Sequence, residues 1–102
     1  MTAYAYVWEF EVRPERAAEF EHHYGPDGSW VRLFRTAPGY VDTVLLRDRI
    51  HPSRFVTIDR WESERACQDF RAAQDAAFAS LDARCAALTI AERELGRFDV
   101  VT

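Results

Sequence analysis

The chain opens with a run in which aromatic or branched residues alternate with others. In residues 4–12 every even position is aromatic or branched, and the odd positions change from small to charged. Successive side chains of a strand point to opposite faces, so this run predicts a β-strand with one strongly aromatic face. Residues 40–47 and 54–61 are predicted as two further strands, and a last strand is predicted near 94–101.

Between these strands the apolar residues recur at helical spacing. A helix is predicted over 15–24, entered through Pro14 and stopped by the turn residues 25–28. Ser29 is a plausible N-cap for a short helix over 30–37, and Ser63 for a long one reaching about residue 87, with a bend near Gln74. The apolar stripe of the long helix is Ala66, Phe70, Ala73, Ala77, Leu81, Cys85 and Leu88.

The order of these elements is β-α-α-β-β-α-β. It predicts a single α+β domain over residues 1–102, with the ferredoxin-like split βαβ pattern and a four-stranded antiparallel sheet. Helices on one side of such a sheet leave its other face uncovered. Strict alternation puts Tyr40, Asp42, Val44 and Leu46 on the covered face. Because the uncovered face would then hold an apolar patch, we expect a homodimer through that patch. Its residues would be Val41, Leu45, Val56 and Ile58.

Composition limits the classes of partner. The 102 residues carry a net charge of −4, and all 13 basic residues are arginines scattered among acidic ones. Phosphate binding needs a basic surface or stripe, so a nucleic-acid partner is not expected. No apolar run approaches the roughly 18 residues of a membrane span, and no signal segment opens the chain, so we expect a cytoplasmic protein without a membrane partner.

The two cysteines fall in the same predicted helix. Cys67 and Cys85 are 18 positions apart, or about 27 Å along an unbroken helix. A disulfide requires Cα atoms within roughly 7 Å, so an intrachain bond would require breaking the helix. Both are interpreted as small, buried, apolar residues of a reducing compartment.

Four segments carry a resemblance to a known family. They are YVWEFEVRP, YGPDGSWVRLFRTAPGYVDTVLLRD, FVTIDRWES and ELGRFDVV, which together span nearly the whole chain. In these segments the chain resembles the antibiotic biosynthesis monooxygenase family, and in particular its short, stand-alone bacterial members. The resemblance implies a dimeric α/β barrel with a pocket between each sheet and its own helices. It also implies oxidation of polycyclic phenolic substrates by molecular oxygen without metal or flavin, or haem degradation, depending on the branch.

The chain departs from the haem-degrading branch of that family. That branch relies on an asparagine, a tryptophan and a helix histidine, and only the tryptophan, Trp61, is matched here. The chain contains no asparagine at all, and its last helix contains no histidine. An asparagine that assists substrate binding in some cofactor-free monooxygenases is missing too. Haem degradation is therefore disfavoured, and no cofactor is expected.

Aromatic residues are the first candidates for a binding site. Trp61, which ends the third strand, would position a planar substrate or simply fill the core. Other aromatic side chains could line a flat slot that accepts a small aromatic molecule, or could pack together without a cavity. These candidates are Tyr6, Trp8, Phe10, Trp30, Phe34 and Phe70.

Polar candidates for catalysis are few. His22 or His23 could act as a base on a phenol, since histidine titrates near neutral pH. Asp42 and Asp59 lie on strand faces that otherwise carry apolar residues, which is costly unless each is paired or faces a ligand. Arg60, Arg47 or Arg35 could pair with them. No set of His, Cys and carboxylate residues has metal-ligand spacing, so no metal site is expected.

Three functional hypotheses remain open on the sequence alone. The first is a cofactor-independent monooxygenase or oxidase acting on an aromatic, polycyclic phenol or ketone. It would remove a proton in a desolvated pocket and let the enolate meet oxygen. The second is a non-catalytic dimeric ligand-binding or accessory protein. The third is an isomerase or cyclase that uses a similar pocket.

Overall fold

A computed structural model describes residues 3–101. Four strands form one sheet: β1 (Tyr4–Val12), β2 (Tyr40–Arg47), β3 (Arg54–Trp61) and β4 (Thr89–Asp99). Their order across the sheet is β2-β3-β1-β4, and every neighbouring pair is antiparallel. The aromatic strand β1 therefore lies in the interior of the sheet. This is the ferredoxin-like α+β fold that the order of elements predicts. Strand β4 begins at Thr89, earlier than expected.

The helices pack on one face of the sheet. They are α1 (Ala17–Tyr24), α2 (Ser29–Phe34), α3 (Glu64–Ala73) and α4 (Asp75–Cys85), with single 3₁₀ turns at Pro14–Arg16 and Ala86–Leu88. Helix α2 ends at Phe34, three residues before the predicted end. In the described part of the chain, no helix combines the length and the apolar character needed to cross a bilayer.

The long predicted helix is two helices. Its start is as expected, since the Ser63 hydroxyl accepts a hydrogen bond of 3.1 Å from the backbone N–H of Ala66. At Gln74 the backbone leaves the helical region, with φ −117° and ψ 30°. The bend near Gln74 is thus a full break. Ala73 and Ala77 on either side of this break are exposed, and the prediction that they belong to the buried stripe is wrong.

Strand pairing separates the sheet into two faces. Directly paired residues of antiparallel strands share a face, so the face under the helices follows from the register. This helix-covered face carries Tyr4, Tyr6, Trp8, Phe10, Phe55, Thr57, Asp59 and Trp61. At one end it packs solidly: Phe55 is 1% exposed, and the rings of Phe20 and Tyr24 stack with centroids 4.1 Å apart.

A β-bulge in β2 changes which residues reach each face. Tyr40 pairs with Trp61, but the next paired residue is Asp42, opposite Arg60, so Val41 is an extra residue. Beyond the bulge, Thr43 and Leu45 lie on the helix-covered face, where Leu45 packs against the core. The prediction that Leu45 lies on the uncovered face is therefore wrong, and so is the assignment of Val44 to the covered face.

No element in residues 3–101 covers the second face of the sheet. This open face carries the apolar residues Val7, Val44, Leu46, Val56, Ile58 and Phe98. Val44 and Leu46 are 41% and 46% exposed, and the Phe98 ring lies against Gly96, where an added Cβ would come within 2.8 Å of it. The apolar open face predicted from the sequence is confirmed, with Val56 and Ile58 in it and with different members on β2.

Candidate functional site

A cavity of about 610 Å³ lies between the helix-covered face and the helices. Its floor is a row of rings on β1, formed by Tyr4, Tyr6, Trp8 and Phe10. Neighbouring ring centroids in this row are 6.4, 5.8 and 6.5 Å apart. The row exists because alternate residues of a strand point to one side, as the sequence pattern predicted.

Helices α2, α3 and α4 supply the opposite wall. The Phe34 ring stands 5.7 Å from Trp61 at 65°, and the Trp30 ring 4.8 Å from Phe78 at 63°. Edge-to-face geometry of this kind is the favoured packing of aromatic rings. Trp61 is 1% exposed and yet borders the cavity, so it belongs both to the core and to the site. All the aromatic candidates named from the sequence border this one cavity.

Asp59 is the acidic group on the cavity floor. It pairs in register with Tyr6 on β1 and Thr43 on β2, and the Thr43 hydroxyl donates a hydrogen bond of 2.7 Å to its Oδ1. Among the described residues no arginine or histidine forms an ion pair with it. Burial raises the pKa of Asp59 to about 6, against the opposing effect of the Thr43 hydrogen bond. Asp59 can therefore exchange a proton near neutral pH.

Two other titratable groups that border the cavity, Tyr4 and Cys67, stay protonated at that pH. Burial raises the pKa of Tyr4 to about 12 and that of the Cys67 thiol to about 11. A protonated thiol is a poor nucleophile, so Cys67 acts as a small apolar lining group. Cys85 is buried, and both cysteines are free thiols.

Charged residues of both signs surround the mouth of the cavity. The Arg71 guanidinium lies 3.7 Å from the centroid of the Phe78 ring, and Arg97 lies 5.6 Å from that of Tyr6. Arg97 also donates a hydrogen bond of 2.9 Å to Glu94. The exposed lining residues are Glu64, Gln68, Arg71, Asp82, Glu92 and Arg97. An apolar interior with a charged rim suits a flat ligand with polar edges.

Neither histidine of α1 borders the cavity. Phe20 and Tyr24, one turn apart, form the buried side of this helix. His22 lies two residues from Phe20, which is about 200° around the helix, so it is exposed. His23 is half-buried, with Nδ1 2.8 Å from the Ser29 hydroxyl. His22 and His23, the candidate bases named from the sequence, therefore lie outside the cavity that Asp59 borders.

Asp42 lies outside the site as well. It is on the open face, where the Arg60 guanidinium donates a 2.7 Å hydrogen bond from Nε to its Oδ1. That ion pair lowers the pKa of Asp42, the reverse of what happens to Asp59. The pairing with Arg60 that the sequence analysis allowed is confirmed for Asp42. Of the residues that the structure describes, no three His, Cys, Asp or Glu side chains are grouped to hold a metal ion.

Several lining residues were not singled out from the sequence. Thr43, Thr57 and Cys67 border the cavity, as does Phe78 on α4. Thr57 could have been found, because it lies two residues from Asp59 on the same strand face. Thr43 could not, because its face depends on the bulge at Val41.

Comparisons with known proteins agree with this fold. The family model described as antibiotic biosynthesis monooxygenase matches residues 3–79. The chain is similar to the crystal structure of SnoaB from Streptomyces nogalater, described as a cofactor-independent oxygenase, with 25% identity and a TM-score of 0.80, covering 100% of this chain and 96% of that one. No curated protein matches the chain significantly.

Two more distant structures show the same fold. One is a putative antibiotic biosynthesis monooxygenase from Bordetella bronchiseptica, with 22% identity, a TM-score of 0.81 and full coverage of both chains. The other is PA3566 from Pseudomonas aeruginosa, with 17% identity and a TM-score of 0.75, covering 100% of this chain and 97% of that one.

Proposed function

Because the chain belongs to the antibiotic biosynthesis monooxygenase family, we propose that it is a cofactor-independent oxygenase of a flat polycyclic phenol or ketone. One observation carries the proposal: Asp59, an acidic group without a cationic partner among the described residues, lies on the floor of an aromatic cavity. The similarity of the chain to SnoaB, which is described as a cofactor-independent oxygenase and is 25% identical to it, supports the same reaction class.

The cavity suits such a substrate in size and surface. Its volume of about 610 Å³ falls within the range of about 300–1,000 Å³ that small-molecule sites occupy. The β1 rings form the floor of the cavity, and the rings of Trp30 and Phe34 belong to the wall opposite. A planar molecule would therefore contact aromatic side chains on both sides. Asp59 and Thr57 supply polar contacts at the floor.

The chemistry assigned to Asp59 is removal of a proton from the substrate. Loss of a proton from a ring CH₂ beside a carbonyl leaves an enolate, which can pass electrons to molecular oxygen. A C–O bond then forms to give a hydroperoxide, and loss of water leaves a ring carbonyl. One oxygen atom of O₂ enters the product and the other leaves as water. With a pKa of about 6, Asp59 is largely ionised at neutral pH and able to start this sequence.

We also propose that the protein works as a homodimer joined through the open face. Val44, Ile58 and Val7 form one apolar row across three strands, and Leu46 and Val56 form part of the next. Apolar surface of this extent is costly in water. A second copy related by two-fold symmetry would cover it with the same patch. The cavity lies on the opposite face of the sheet and would stay open to substrate.

Oxygen uptake tests the proposed reaction. Purified protein is mixed with a panel of tricyclic and tetracyclic phenols and ketones, and oxygen consumption and product mass are followed. We expect uptake with a mass gain of 14 Da for CH₂ to C=O oxidation, rising with pH through about 6 as Asp59 ionises. Asp59→Asn should lose most of the rate. Asp69→Asn is the matched control, because that carboxylate pairs with Arg65 on the surface of α3.

Other outcomes separate the remaining functions. Quenching of tryptophan fluorescence by these compounds without oxygen uptake would favour a ligand-binding or accessory protein. A rearranged product of unchanged mass would indicate an isomerase or cyclase. If no compound of the panel either bound to the protein or caused oxygen uptake, the proposal would be overturned.

A further inference from the structure

Tyr40 and Thr43 face the same side of the sheet although three residues separate them. On a regular strand, positions i and i+3 point to opposite faces. The extra residue at Val41 shifts the register between Tyr40 and Asp42 by one, and this shift puts Thr43 on the same face as Tyr40. As a result the Tyr40 hydroxyl lies 2.7 Å from the Thr43 hydroxyl, on the cavity side. A bulge that re-aims side chains beside a candidate active site is often a functional feature.

The hydrogen bonds of this group have one consistent direction. An ionised Asp59 can only accept, so Thr43 must donate its single hydroxyl proton to Oδ1, 2.7 Å away. The Thr43 oxygen is then free only as an acceptor, and Tyr40 must be the donor to it. The chain runs Tyr40 to Thr43 to Asp59. If Asp59 takes a proton on Oδ2, Oδ1 still accepts from Thr43, so no bond in the chain has to reverse.

We propose that Thr43 and Tyr40 are positioning residues that hold the Asp59 carboxylate with Oδ1 engaged and Oδ2 presented to the substrate. This inference rests on the proposed function of Asp59 as the base. Among the described residues no side chain is hydrogen-bonded to Oδ2, and Asp59 borders the cavity. Preorganisation of this kind holds a base in its reactive geometry before substrate arrives.

Packing fixes the far end of the chain. The Tyr40 ring lies 5.3 Å from that of Trp61 at 69°, and 5.6 Å from that of Phe34 at 46°. Both neighbours border the cavity. The tyrosine hydroxyl is thus held by the same aromatic wall that would contact the substrate, and the orientation of Asp59 is tied to the shape of the site.

Other titratable groups near Asp59 do not interfere over the relevant pH range. Tyr6 faces it from β1, Tyr40 from β2 and Cys67 from α3. Burial raises the pKa of each above its ordinary value, so all three keep their protons between pH 5 and 8. The charged groups at the mouth of the cavity are Glu64, Arg71, Asp82, Glu92 and Arg97.

The test follows the Asp59 carboxyl directly. In full-length protein labelled with ¹³C-aspartate, the carboxyl resonance lost in Asp59→Asn identifies the group, and its titration is followed by NMR. Thr43→Val keeps the shape of the side chain but removes the donor to the charged form. We expect Thr43→Val to raise the midpoint pH of the Asp59 carboxyl titration by about one pH unit. Tyr40→Phe should move it in the same direction by less, and Thr43→Ser should restore it.

The same variants are then compared in oxygen uptake. Thr43→Val should move the acidic limb of the kcat/KM profile by the same amount as the NMR titration, with part of the rate recovered at high pH. Thr57 is a second threonine on the cavity floor. As a control, Thr57→Val should leave the midpoint pH of the Asp59 titration unchanged. An unshifted titration in both Thr43→Val and Tyr40→Phe would overturn the positioning role. Absence of turnover in the wild type would count only against the proposed reaction, because the NMR titration does not depend on turnover.

Discussion

The ring of Phe34 stands edge-on to the ring of Phe70, with centroids 5.3 Å apart and ring planes at 82°. This contact joins the short helix α2 to helix α3. Both side chains are buried, and both border the cavity. The wall of the candidate site is therefore also part of the hydrophobic core, and a change to it affects stability as well as binding.

Phe70→Ala is expected to lower the free energy of unfolding by roughly 3–5 kcal/mol. Phe70 is 3% exposed and contacts the rings of Phe34 and Trp61 at centroid distances of 5.3 Å each. Chemical denaturation measures the change. Ile50→Ala is the control, since Ile50 is 83% exposed in the loop between β2 and β3, and should change stability by no more than about 0.5 kcal/mol. A loss well below 1 kcal/mol for Phe70→Ala would contradict its place in the core.

Asp59→Asn is expected to stabilise the fold at neutral pH. Burial raises the pKa of Asp59 to about 6, so between pH 4 and 7 the folded protein binds more protons at this site than the unfolded chain does. Unfolding free energy must then fall as pH rises through this window. An asparagine at this position carries no charge to bury, and its Oδ1 can still accept the hydrogen bond from the Thr43 hydroxyl. We expect a gain of about 1–2 kcal/mol at pH 7.5, since water in the cavity moderates the full effect.

Denaturation curves at several pH values check this prediction. The gain from Asp59→Asn should shrink as the pH falls and vanish below about pH 3, where the wild-type carboxyl is protonated in both the folded and the unfolded state. Asp69→Asn, on the surface of α3, should show no gain of this kind. A variant that is less stable than the wild type at pH 7.5 would show that the carboxylate is held by favourable contacts instead.

Ile58→Glu is expected to convert a dimer to a monomer. Ile58 pairs with Val44 on one side and Val7 on the other, so a charge there would interrupt the apolar row of the open face and would be buried without a partner. Sedimentation velocity at micromolar concentration gives the molecular mass. Ile50→Glu, on an exposed loop, should leave the mass unchanged. A wild-type monomer under these conditions would refute the proposed assembly.

Gly39→Ala is expected to destabilise the protein for two separable reasons. Gly39 has φ +90°, a conformation that other residues adopt only with strain, and an added Cβ would lie 2.7 Å from the Ala66 Cβ. We expect a loss of about 2 kcal/mol or more. In a double-mutant cycle with Ala66→Gly, the coupling energy should be favourable, because the second change removes the steric contact but not the backbone strain. Additive losses would show that the contact is relieved by backbone movement.

The sequence alone determined the order of the elements and most of the aromatic site. Alternation in β1 and β3 is a local property of the chain, so it set which residues share the floor of the cavity and put Asp59 among them. The resemblance of the chain to its family agreed with the order of elements. The uncovered apolar face followed from the same reasoning, because a sheet with helices on one side must leave the other side open.

Only the tertiary structure decided three features of the fold around the site. The bulge at Val41 depends on how β2 pairs with β3, which no pattern within β2 records, and it moved Thr43 and Leu45 to the helix-covered face. The bend expected near Gln74 is a full break, and Ala73 and Ala77 on either side of it are exposed. The position of His22 and His23 depended on which side of α1 packs, and Phe20 with Tyr24 took that side. In each case the outcome depends on contacts between elements, where a shift of one residue or a turn of one helix exchanges the buried side for the exposed one.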